Sequence, residues 1–432
     1  MFTSFHWPAR RILGAVVLLA HAPWGVHAQP ALSLDDAVQL AMRDSRLVAA
    51  AAAQAEAARE LALAAHQRPD PVLKVGVNNL PIDGPDRFST TRDFMTMRSV
   101  GLMQEFTRAD KRAARAARLE REAEAADTSR AMTLADLRRD TALAWLDRYY
   151  QERLRELLHT QRAELALQIE AAEAAYRGGR GAQADVFGAR AALAQLEDRI
   201  SQTRLQVATA TTRLARWIGA AATQALAAAP DVSVAPLDAA GLDTQLAHHP
   251  QIALMDKQEA LARAEVDIAQ SNKRADWSVE LMLSQRGSAY SNMVSLNVSI
   301  PLQWDQKNRQ DREVASKLAL AQQARAQRDD AIREHRAQTL SWLQQWQSGR
   351  ERLQRYDTTL IALAAERTQA AQAAYRGGSG SLMAVLEARR MESEARVERL
   401  RVEMDTATAW AQLTYLIAPE HRPAGERQEP QR

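Results

Sequence analysis

The feature that most constrains this chain is that it is written twice. The run Ala174-Ala175-Tyr176-Arg177-Gly178-Gly179-Arg180-Gly181 returns 199 residues later as Ala373-Ala374-Tyr375-Arg376-Gly377-Gly378-Ser379-Gly380. At the same offset Val186, Ala189, Arg190, Leu214 and Ile218 meet Val385, Ala388, Arg389, Leu413 and Ile417. A repeat of this kind fixes the architecture before any local assignment is made. Two halves, residues 29–220 and 243–418, share one plan, with a linker over 221–242 and a polar tail over 419–432.

Each half opens with an Ala-rich helical segment, about 35–67 and 243–273. Short runs of period two then predict a β-hairpin, about 70–106 and 276–304. In the first hairpin Leu73, Val75 and Val77 alternate with Lys74, Gly76 and Asn78, and a return strand lies near Phe94–Phe106 with a less clean alternation. In the second, Trp277, Val279, Leu281 and Leu283 are answered by Val294, Leu296, Val298 and Ile300 after a turn over Arg286–Asn292, and Pro301 ends the run. A proline-free Glu/Arg/Gln/Ala/Leu-rich stretch follows in each half, about 108–177 and 307–376. At 1.5 Å per residue such helices reach on the order of 100 Å. Leu143, Leu146, Tyr150, Leu154 and Leu157 mark a packing stripe at spacings of three and four. A glycine turn then returns the chain through a second helix, about 182–217 and 381–417, completing helical hairpins over about 108–217 and 307–417.

The N-terminus reads as an export signal over residues 1–28: Arg10 and Arg11, an apolar run Ile12–Ala20, and Val26-His27-Ala28 before a mature start at Gln29. The chain has no cysteine, which excludes disulfides, thiolate metal sites and a lipidated cysteine. Beyond the signal no run of about 18 apolar residues is available for a transmembrane helix, so a membrane role requires strands. The whole chain carries 56 basic and 53 acidic residues, a balance that gives no reason to expect nucleic acid as a partner. No phosphate-binding glycine loop, zinc-protease helix or nucleophile elbow is present, so neither an enzyme nor a cofactor is expected.

Four strands with one apolar face cannot close a barrel alone, because the smallest transmembrane barrels have about eight strands and open edges in lipid cost several kcal/mol per unpaired group. The chain must therefore oligomerise. Phe106, Trp277 and Trp304 sit where hairpins meet helices and are candidates for a membrane-interface girdle of outer-membrane lipid contacts. The alternative reading is a soluble periplasmic coiled-coil adaptor or scaffold, with these aromatics as ordinary core residues.

The duplication and the Tyr-Arg-Gly-Gly-x-Gly turns together resemble the TolC family of outer-membrane factors over nearly all of the mature chain. Asn79-Leu80-Pro81, the run Phe88–Met97 and Gln104-Glu105-Phe106 resemble its heavy-metal efflux branch, the CusC- and CzcC-like proteins. The resemblance implies a mainly α chain with a membrane β-barrel portion, closing as a homotrimer whose three protomers give a twelve-stranded barrel and a helical duct across the periplasm. It implies as partners a periplasmic membrane-fusion adaptor and an inner-membrane resistance-nodulation-division (RND) pump, with substrate passing through without chemistry. Many relatives carry a lipidated cysteine that this chain lacks.

In that family the glycine turn is the periplasmic tip. The resemblance assigns adaptor docking to Arg177, Gly178, Gly179, Gly181, Arg376, Gly377, Gly378 and Gly380, and gating to Tyr176, Tyr375, Asp185 and Glu387. Three copies of an acid around a threefold axis repel one another and attract cations. Where relatives often have a second acid, this chain has Ala384. A bland role competes at each: glycine suits any helix-hairpin turn, and Asp185 or a terminal arginine complements a helix dipole. Met95, Met97 and Met103 are soft-ligand candidates, but methionines on a barrel strand more often pack against lipid or a neighbour. His248 and His249, before Pro250 at a helix start, read as capping or exposed, so no metal site is expected.

Overall fold

The computed structural model describes residues 31–179, 181–234 and 249–416. The expected signal segment, the mature start, part of the linker, His248 and the tail lie outside the described residues.

Two helices, not one, open the first half: α1 (Leu34–Asp44) and α2 (Arg46–Ala65). Ser45 causes the break, because its backbone is extended and its hydroxyl accepts from Val48 N at 3.3 Å, capping α2. Ser33 caps α1 in the same way through Asp36 N. The chain continues through β1 (Val72–Asn78), β2 (Met97–Phe106), α3 (Ala109–Arg177) and α4 (Gln183–Ile218). The second half runs α5 (Pro250–Ser271), β3 (Trp277–Gln285), β4 (Met293–Ser299), α6 (Gln310–Arg355), a π turn (Tyr356–Leu360), α7 (Ile361–Arg376) and α8 (Leu382–Thr414). Strand β2 starts later than expected, since the Asp93 carboxylate accepts from the backbone of Met95 and Thr96 and holds that segment in a turn.

The four strands make one antiparallel sheet in the order β1-β2-β3-β4, so the two hairpins sit side by side through β2 and β3. Helix α3, 69 residues and roughly 100 Å long, is the spine. It packs against α2 and α5 on its sheet-proximal half and against α4 beyond. Small buried side chains, Ala55, Ala58 and Ala62 on α2 and Ala116, Ala123 and Ala126 on α3, let these helices approach closely.

The largest core lies at mid-length, where Leu34, Val38, Trp145, Leu146, Tyr150, Leu214 and Ala411 are buried together. Here the two repeats show one device twice. Trp145 Nε1 donates to Leu32 O at 3.2 Å, and Trp346 Nε1 donates to Val232 O at 2.9 Å. Each indole pins a segment ahead of the first described helix of its own repeat.

These paired tryptophans explain the π turn. Trp145 and Tyr176 are 31 positions apart, whereas Trp346 and Tyr375 are 29 apart. Removing two residues from an α-helix turns everything beyond by about 200°, leaving the tip roughly 160° out of phase. The π turn absorbs one more residue without advancing the helix, so the effective shortening is about three residues and the mismatch falls to roughly 60°. The π turn thus brings the second tip closer in phase to the first.

At the start of α5, His249 Nδ1 accepts from Gln251 N at 3.2 Å, which is the capping role expected of it. Its ring lies 4.3 Å from that of His335 on α6. Burial, then the nearness of His335 and Arg139, pushes His249 down to about 4, and burial also lowers His335. The charged groups around the pair are Asp136, Arg139 and Asp140 of α3, which line the same cavity, and Glu334 of α6. Because the folded-state value of His249 is depressed, the unfolded chain binds more protons between about pH 6.5 and 4. Stability is full above about pH 6.5 and falls toward pH 4, by up to about 1.4 kcal/mol per pH unit for one group. Thermal midpoints measured across this window should drop, and His249→Asn, which still caps, should flatten the slope; a flat wild-type profile contradicts the assignment.

Candidate functional site

The two glycine turns lie side by side at the end of the helical hairpins farthest from the sheet. Their glycines are not equivalent. Gly178 and Gly377, the first of each pair, have ordinary right-handed backbones with φ of −80° and −76°. Only Gly179 and Gly378 are left-handed, at +70° and +74°. These second glycines are therefore the ones the turn requires. Gly181 and Gly380 meet a different demand: a Cβ there would stand 3.2 Å from Ala175 Cβ and 3.0 Å from Ala374 Cβ, respectively. The chain folds back against its own helix at that point. Each first glycine donates its N–H to the helix, Gly178 to Ala174 O and Gly377 to Ala373 O. Arg177 and Arg376 end their helices exposed to solvent, where they complement the dipole.

The tyrosines separate. Tyr375 is half-buried and packs on a small apolar cluster of Ala172, Val186 and Leu382, joining the second turn to the first repeat. Tyr176, at the equivalent position, is 46% exposed. Between the turns lies a cleft of about 410 Å³ whose lining includes Asp185, Tyr375, Gly380 and Ser381.

The acids separate as well. Asp185 stands in the first turn of α4, half-buried in this cleft, and no hydrogen bond or ion pair holds its carboxylate among the described residues. Helix α4 has alanine at its N-cap, whereas α8 is capped by Ser381 accepting from Ala384 N at 3.2 Å. The acid in one repeat and the serine in the other thus each favour the start of the corresponding helix, one by charge and one by capping. Glu387 is exposed and held by Arg390 at 2.8 Å, which keeps its carboxyl below the usual range. Local pairing neutralises much of its field.

The sheet is the second notable surface. One face carries an apolar row in register across all four strands, Leu73, Leu102, Leu281 and Leu296, beside a second of Val75, Val100, Leu283 and Val294. All eight are exposed. Phe106 and Trp277 are register partners on this face, with rings stacked at 4.4 Å. Trp304, beyond β4, is 87% exposed. The opposite face is polar, with Lys74, Ser99, Glu280, Ser284, Ser295 and Asn297. Met97 and Met103 fall on this polar face and Met95 in the preceding turn, so none of the three packs on the apolar side as a lipid contact would require. Among the described residues no group of three or more His, Cys, Asp or Glu could hold a metal ion, and no helix is long and apolar enough to cross a membrane.

Against curated proteins the sequence has no match. The fold, in contrast, is shared with solved structures. The outer-membrane channel OprN superposes with a TM-score of 0.74 at 17% identity, over 88% of this chain and 89% of that one. CusC, whose structures describe folding and transmembrane channel formation, gives 0.75 at 17% identity over 96% and 99% of the two chains. The outer membrane protein VceC of Vibrio cholerae gives 0.69 at 17% identity over 88% and 96%. Residues 241–418, essentially the second repeat, match the family described as outer membrane efflux protein. The chain is thus a mainly helical protein with a four-stranded sheet in the fold of the outer-membrane channels, and its second half carries the sequence pattern of the outer membrane efflux proteins.

Proposed function

We propose that this protein is the outer-membrane channel of a tripartite efflux system, passively conducting its cargo through a homotrimeric duct. The observation that carries the reading is the sheet: an exposed apolar face, a polar face and two open edges, β1 and β4. Pairing β4 of one copy with β1 of the next would satisfy both edges, and three copies would give twelve strands with the apolar rows outward. The stacked pair Phe106–Trp277 and the exposed Trp304 would lie at the membrane interface. A soluble adaptor or scaffold leaves the apolar face without a purpose. The resemblance of Asn79–Phe106 to the heavy-metal branch supports metal cations as cargo, an RND pump and a membrane-fusion adaptor as partners. Recovery of the mature protein in the outer-membrane fraction, extractable only with detergent, is the expected result; a soluble protein would refute the reading.

The glycine turns form the periplasmic tip on this reading, and Asp185 and Tyr375, sharing one cleft, are its foremost gate candidates. Asp185→Ala should raise conductance or alter cation selectivity in planar bilayers. Glu387→Ala should do so less, because Arg390 already compensates that carboxylate. Equal, unaltered channels from both variants would remove the gate assignment. Docking is testable at Gly377, whose backbone is right-handed and where an added Cβ would meet the Ala373 carbonyl at 3.3 Å, a contact that a small shift relieves. Gly377→Leu should leave trimers intact while abolishing resistance; full resistance would dismiss docking at this turn.

A further inference from the structure

The polar face of the sheet holds one acid–base contact at mid-strand. Lys74 Nζ on β1 reaches Glu280 Oε2 on β3 at 2.8 Å, although β2 lies between their strands. Register explains how: the row containing Lys74 continues through Gly101 and Met282, so no side chain stands in the lysine's path. A Cβ at Gly101 would lie 3.0 Å from Leu281 O and 3.3 Å from Met282 Cα, so β3 leaves little room for a side chain at this position. The pair crosses from the first repeat to the second.

A second pair near the sheet has a different character. Lys111 Nζ meets Asp276 at 2.7 Å where the strands pass into the helices, and Asp276 also accepts from Arg108 N. Both of those side chains are nearly buried, which suits a fastening. Lys74 is 41% exposed on an open polar surface and Glu280 15%. Among the described strand residues the other charged side chain on that face is Glu105, close to the helical end.

We propose that Lys74 is a selectivity-determining residue: by compensating Glu280, it halves the negative charge that the strands present to the barrel lumen and so limits the channel's preference for cations. The proposal rests on the trimeric channel reading. Threefold symmetry places three such pairs at one height. Twelve strands spaced about 4.8 Å apart and tilted about 40° enclose a barrel roughly 24 Å across, and side chains narrow the bore further. No point in it is much farther from the wall than the Debye length of about 8–10 Å, so an uncompensated charge acts across the whole opening. With Lys74, Glu280 and Glu105 on the face, each chain contributes one net negative charge; without the lysine it contributes two.

The test is the reversal potential of the mature trimer in planar bilayers under a potassium chloride gradient. Lys74→Met keeps the aliphatic stem, removes the charge and should raise the cation-to-anion permeability ratio by about twofold or more. Glu280→Gln should lower the ratio below wild type, and the double variant should return toward wild type. The differences should collapse near 1 M salt, where the Debye length is about 3 Å. A pair that only fastens the hairpins would not move the two single variants in opposite directions. Conducting channels with one common reversal potential would overturn this proposal alone, whereas a wild-type trimer that does not conduct would overturn the channel reading and this proposal with it. Opposite shifts that cancel in the double variant would support it.

Discussion

Leu296→Arg should prevent the protein from assembling in the outer membrane. Leu296 is 67% exposed at the end of the row Leu73, Leu102, Leu281 and Leu296, on the face assigned to lipid. An arginine on the lipid side of a transmembrane barrel costs about 2–4 kcal/mol near the bilayer midplane. Three copies would bring the penalty to roughly 6–12 kcal/mol per trimer, comparable with the whole stability of a typical folded domain. The neighbouring position supplies the control. Asn297 points to the polar face, so Asn297→Arg should assemble normally. Heat-sensitive trimers on gels of outer-membrane fractions distinguish the two; equal assembly would mean that the apolar face does not meet lipid.

Trp145→Ala should be the most damaging single change in the helical body. The side chain is fully buried in the mid-length core, stacks on Tyr149 at 5.3 Å, and ties Leu32 to the bundle. Truncating a buried tryptophan removes transfer energy and leaves a cavity, together about 3–5 kcal/mol. Trp145→Phe keeps most of the volume and removes one of two hydrogen bonds on the Leu32 carbonyl, which still accepts from Ala227 N at 3.0 Å, for about 0.5–1.5 kcal/mol. Trp304→Ala, at a surface position, should scarcely move the thermal midpoint in detergent. A midpoint no lower for Trp145→Ala than for Trp304→Ala would show that the core is not centred on the indole.

The repeat, both hairpins and the long helices were legible because each has its own period. Strand residues such as Trp277–Leu283 alternate strictly, the stripe from Leu143 to Leu157 recurs every three or four, and the glycine turns repeat almost letter for letter. What stayed hidden depends on contacts between distant positions or on competition within one segment. Ser45 interrupts an Ala-rich stretch whose composition favours one continuous helix, and a single hydroxyl decides the outcome. The π turn at Tyr356–Leu360 has no composition of its own; it follows from a two-residue difference in spacing between the tryptophan and tyrosine of each repeat. Which glycine of each pair is left-handed, and that Arg390 neutralises Glu387, are matters of geometry within a turn of helix. Lys74 and Glu280 are 206 residues apart, and only the strand order brings them together.

The candidate tip illustrates the same division. The repeated motif puts Tyr176 and Tyr375 at equivalent positions, with the family resemblance favouring Tyr375 for a tip role, yet one is exposed and the other packs on Ala172, Val186 and Leu382. The two repeats within one chain meet along one seam, through β2 and β3, the mid-length core and the tip cluster. On the trimer reading the exposed face of Tyr176 would be met by the second repeat of the next copy, repeating between chains the contact that Tyr375 makes within one.

On the trimer reading other copies of the chain complete the sheet, and the mass of the detergent-solubilised particle reports it. Light scattering corrected for bound detergent, on mature protein extracted from outer membranes, should give the mass of three chains. A single-chain particle, or a soluble protein of any size that needs no detergent, would contradict the account.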